Sequence, residues 1–111
     1  PNVSRILNSI IEICDKLVIN FREDPRDIDL CRLWIDVHLP EFRKQLEKYC
    51  ELSVKGLGNA DAQEALVKFE SILPKMKKSC EEMLKKCLDN DITDLNVDSS
   101  VYHKILDAGQ V

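Results

Sequence analysis

Residues 61–88, DAQEALVKFESILPKMKKSCEEMLKKCL, decide the fold class. Their apolar side chains (Ala65, Leu66, Phe69, Ile72, Leu73, Met76, Cys80, Met83, Leu84, Cys87 and Leu88) return every three or four positions, the interval that keeps one face of an α-helix in line. Asp61 followed by Glu64 predicts a capping box at the start. Pro74 lacks a backbone donor and its ring crowds the preceding turn, which predicts a kink with the apolar register carried across it.

The same period extends outward from this run. Val3, Ile6, Leu7, Ile10, Ile13, Cys14, Leu17, Val18 and Phe21 outline a first helix, which ends before Asp24-Pro25, where Asp27 is placed to cap the second helix. Residues 28–39 form that second helical stretch, kinked or split at Pro40, and Phe42, Leu46, Tyr49, Cys50 and Val54 carry helix on to the stop at Gly56-Leu57-Gly58-Asn59. Residues 89–98 turn acidic, with Ile92, Leu95 and Val97 as their apolar anchors, and predict a connector; residues 99–109 predict a short C-terminal helix ended by Gly109.

No period-two pattern and no repeat is found. The expected fold is therefore all-α: an antiparallel up-down bundle of three long helices plus the short C-terminal helix. A chain of 111 residues with 44% hydrophobic and 32% charged residues, three glycines and four prolines forms one folded domain over 1–111, not a disordered tail.

Charge narrows the partners. Sixteen basic against twenty acidic side chains give a net charge of −4, the wrong sign for a domain whose affinity comes from phosphates, so no nucleic acid is expected. Phe21, Trp34, Phe42, Tyr49 and Phe69 fall on apolar faces and leave no row for stacking bases. No run approaches the roughly 18 apolar residues of a membrane span, and the N-terminus lacks the order of a signal peptide. Lys75, Lys77, Lys78, Lys85 and Lys86 read as a solvated face compensated by Glu81, Glu82 and the acidic stretch beyond.

Chemistry-bearing motifs are sparse. His38 and His103 lie in separate elements without a catalytic context, so no enzymatic activity is expected. The spacing Cys80-x6-Cys87 is not that of a zinc site. The run from Asp89 to Ser100 imitates a calcium loop but lacks its glycine and its terminal glutamate, and Gly56-Leu57-Gly58 is a helix stop, not a phosphate cradle. No metal or cofactor is expected.

At 1.5 Å of rise per residue, folding antiparallel helices back on one another sets Cys14 level with Cys80 and Cys31 level with Cys87. Those are the disulfide pairings closest in height, although sequence alone does not choose among connectivities. The odd count and an adequate core favour reduced, buried thiols, and with them the cytoplasm over secretion.

The surplus lies in residues 28–39, where eight of twelve positions are apolar and a bundle helix needs about three in seven. That excess predicts a non-enzymatic interaction domain. It would bind an amphipathic helix or a second copy of the chain through Val18, Phe21, Leu30, Leu33, Trp34 and Val37, with Trp34 as the hot spot. The alternative is a secreted carrier or signalling bundle with disulfides and an internal cavity for a small apolar ligand.

Overall fold

A computed structural model describes residues 2–109; Pro1, Gln110 and Val111 of the expected domain lie outside the described residues. The described chain is all-α: α1 (Asn2–Glu23), α2 (Asp27–Leu30), a π-helical turn (Trp34–His38), α3 (Leu39–Lys55), α4 (Ala60–Glu70) and α5 (Leu73–Asp107).

The prolines set the interruptions. Pro40 has no N–H for the carbonyl of Asp36, and the chain absorbs the loss by widening one turn: the Leu39 N–H bonds the Trp34 carbonyl five residues back, and Pro40 sits in the first turn of α3. Pro74 likewise cannot serve the Glu70 carbonyl, and α4 ends at Glu70. Ser71 and Ile72 stay near helical dihedrals, with the Ile72 N–H on the Phe69 carbonyl at 2.8 Å, and Pro74 enters the first turn of α5. The expected kink is thus a two-residue interruption between two helices.

Two expected caps are replaced. The side chain of Asn59, not an Asp61–Glu64 box, caps α4 by accepting from the Ala62 N–H at 3.0 Å. Asp27 does not cap α2 but is wholly buried. Gly58 supplies the left-handed residue of the α3–α4 loop at φ 79°. Gly56 allows close approach instead, since a Cβ there would stand 2.5 Å from the Ala62 Cβ and 2.8 Å from the Leu52 carbonyl.

The largest departure is at the C-terminal end. In place of a connector over 89–98 and a separate helix over 99–109, α5 continues without a break to Asp107, with Gly109 at φ 74° beyond it. Elongating a formed helix avoids the cost of a new nucleus. The hydroxyls of Thr93 and Ser100 donate to the carbonyls four residues back, at 2.9 Å each, so they ride on the helix instead of opening a turn.

The chain is extended and does not close into the expected up-down bundle of three long helices with a short C-terminal helix, because the rods are unequal. At 1.5 Å per residue the 22 residues of α1 span about 33 Å and the 35 of α5 about 52 Å. α1 packs on the first half of α5, α3 runs past α1 to pair with α4, and the second half of α5 extends exposed beyond them, held near its start by an Asp94–Arg26 ion pair at 3.6 Å. Tyr49 packs tilted against Phe69, with ring centroids 4.8 Å apart, and donates to the Glu70 carboxylate at 2.7 Å, which closes the α3–α4 hairpin. The result measures 77 × 25 × 17 Å, with a radius of gyration of 20.6 Å against about 13 Å for a compact chain of this length. Its accessible surface of 8373 Å² exceeds by about 2,000 Å² the value expected of a compact 12.8 kDa monomer.

Candidate functional site

Trp34 is the first correction. Its ring is 3% exposed, in the core with Ile10 and Leu17 of α1, Phe69 of α4 and Leu73, Met76 and Cys80 of α5. The last twenty residues do not seal it. An indole in that position holds the helices together and offers a partner no contact; its Nε1 donor is buried without an acceptor. Phe21 is half-buried against the same core.

Val18, Leu30, Leu33 and Val37 are exposed, but not as one patch. Asn20 reaches the start of α2 through its amide, so α2 lies on the Asn20 side of α1. Val18, two residues earlier, points about 200° away around the helix. Leu30, Leu33 and Val37 stay together on the outer side of their segment, at intervals of three and four. Beside Val37 lies an open groove of about 360 Å³ lined also by His38, Phe42, Ile72 and Met76.

The cysteine pairing read from helix heights is what the structure brings together. The sulfurs of Cys31 and Cys87 lie 3.8 Å apart, and Cys14 and Cys80 are near enough for each thiol to shift the other; all five cysteines are free thiols. The Cys80 thiol holds Cys14 below its ordinary value, while Cys14 and burial hold Cys80 above it. Burial raises Cys31, and burial with the Cys31 neighbour pushes Cys87 up to about 12. Thiolate is the reactive form, so iodoacetamide on native protein should modify exposed Cys50 and half-buried Cys14 first. Cys31, Cys80 and Cys87 should react only after denaturation, which peptide mapping of the alkylated chain would check.

The sequence reading missed a polar anchor between the same helices. Asp27 is 0% exposed and accepts from the Asn20 amide at 2.7 Å and the Asn90 amide at 3.1 Å, tying α1, α2 and α5 at one level. Oxygens of Asp24, Asp27 and Asp91 lie within 4.8 Å of one another. Both Asp27 oxygens are committed to the amides. Asp24 accepts from Arg26 at 3.0 and 3.2 Å, and that guanidinium holds its carboxyl below the usual carboxylate range. No spacing rule marks such an anchor, since asparagines on helix faces are ordinarily solvated.

Past this anchor every described residue from 91 onward is exposed. Leu88, Ile92, Leu95, Ser99, Tyr102 and Leu106 follow at steps of four, three, four, three and four, the heptad that keeps a stripe facing a partner helix. Leu95 is 66% and Tyr102 61% exposed. The fold leaves this stripe uncovered. Among the described residues no helix is long and apolar enough to cross a membrane, so the stripe is not part of a span.

A family model described as 5-bromo-4-chloroindolyl phosphate hydrolysis protein matches residues 2–102. The chain belongs to this family. The match to the 5-bromo-4-chloroindolyl phosphate hydrolysis family runs from α1 through Tyr102, so most of the exposed half of α5 is part of the family's domain and not an appendage to it. No curated protein and no solved structure matches the chain.

Proposed function

We propose that the chain is a helical protein-interaction module whose main docking element is the second half of α5, with the outward face of Leu30, Leu33 and Val37 as a lesser apolar patch. The observation that carries this reading is the exposed heptad stripe on a helix whose contacts with the rest of the chain from residue 91 onward are polar ones near its start, among them the Asp94–Arg26 ion pair. The seventeen exposed residues of helix from 91 to 107 are costly to hold in water, since short helices take most of their stability from packing on an apolar face. A partner supplies that packing.

The family's description names the hydrolysis of an indolyl phosphate. Our reading gives this chain a supporting role in such a reaction: it holds another protein and does not cleave phosphate itself. The grooves are open, that beside Val37 offers a phosphate one lysine, and the Asp27 carboxylate is sealed behind two amides. The carrier reading has less support, since the cysteines are free thiols and the grooves are not closed chambers.

Purified chain incubated with 5-bromo-4-chloroindolyl phosphate and magnesium, manganese or zinc should release no more phosphate than the buffer blank. Turnover that disappears in a folded Asp91→Asn variant would overturn the proposal in favour of a metal-assisted hydrolase at the Asp24, Asp27 and Asp91 group.

A further inference from the structure

We propose that the partner of α5 is a second copy of the chain, the two helices pairing antiparallel over residues 88–106. This rests on the reading of α5 as the docking element and names its occupant. In an antiparallel pair centred on position 97, Leu88 faces the partner's Leu106, Ile92 faces the partner's Tyr102 and Leu95 faces the partner's Ser99. Each layer then joins a d position to an a position, and the smallest side chain of the stripe meets a leucine. The pairing is its own inverse, as a two-fold interface requires.

Charge selects the direction. Asp89, Asp91 and Asp94 occupy the first half of the segment, and Asp98, His103 and Lys104 the second. Antiparallel pairing lays the acidic half of one helix on the half that carries those bases, whereas parallel pairing lays three carboxylates beside three. It also sets the two helical bodies at opposite ends, free of each other.

The surface area fits. A specific interface takes roughly 800 Å² from each partner, and the chain exposes about 2,000 Å² more than a compact monomer of its mass. Local preference points the same way: Asn90, Asp91, Thr93, Asn96, Val97 and Ser99 are weak helix formers, and the pairing compensates for a segment that would fray alone.

Sedimentation velocity of the full chain across a concentration series tests the proposal. A dimer is expected, with its dissociation constant raised about 100-fold or more by Leu95→Asp with Tyr102→Asp, since burying two charges per chain opposes association. Both sites are exposed in the monomer, so the variant keeps its helical circular dichroism up to position 90. Ser99→Leu, which fills the central layer, should tighten the dimer about tenfold. Benzoylphenylalanine at position 106 should crosslink to the segment around Leu88, and a crosslink to position 106 of the other chain would overturn the antiparallel register.

A dimer indifferent to Leu95→Asp with Tyr102→Asp would overturn the interface. A monomer that binds a synthetic leucine-heptad peptide through α5 would overturn self-association and leave the interaction reading standing. A monomer that binds no such peptide would overturn both.

Discussion

Trp34→Ala is expected to destabilise the fold by about 3–5 kcal/mol, the range for deleting a buried aromatic, and to broaden or abolish the urea transition. Natural stabilities of about 5–15 kcal/mol leave little margin for such a loss. From the π-helical turn the indole shares one core cluster with residues of α1 and α5, so its removal opens the core where three elements meet. Trp34→Phe should cost well under half as much, because it keeps an aromatic ring and removes the unpaired Nε1 donor. If Trp34→Ala unfolded at the same urea concentration as the native chain, the placement of this residue in the core would be wrong.

The second large effect is expected at Asp27. Asp27→Ala removes the acceptor of two side-chain amides at a fully buried position and leaves Asn20 and Asn90 without their partner. At about 1–3 kcal/mol for each orphaned group the loss is about 3 kcal/mol, read from the shift of the urea midpoint. Asp27→Asn keeps one acceptor and should lose less. Asn90→Ala should fall between native and Asp27→Ala, since one bond of the pair survives. The effect would be felt where α5 leaves the body, so the same variants should loosen the alignment of its second half.

How far these features are legible in the sequence depends on which physical rule governs each. Cys14 pairs with Cys80 and Cys31 with Cys87 on sequence spacing alone, because helix rise is nearly constant and heights transfer across a hairpin. Trp34 cannot be placed so well. Counting apolar residues over 28–39 shows a surplus but not its direction, and the turns at Cys31 and at Trp34–His38 rotate the segment so that Cys31 and Trp34 point in while Leu33 and Val37 point out.

The stretch 89–98 misleads for a physical reason. Its aspartates, asparagines and threonine argue against helix locally, and residue preference is a weak prior that context overrides. The heptad from Leu88 to Leu106 is present in the same residues. It becomes visible once the helix is continuous, because a stripe at steps of four and three has meaning only on an unbroken helix. The anchor at Asp27 lies outside any pattern, since it joins side chains seven and sixty-three positions away.

Hydrogen exchange resolved along α5, followed as the full chain is diluted, tests most directly whether its second half is built to be covered by another copy. Amides of 91–107 should exchange quickly in dilute chain and slow as concentration rises, while those of 76–87 stay protected throughout. Equal protection of both halves at every dilution would contradict the account, because the chain would then be covering that helix by itself.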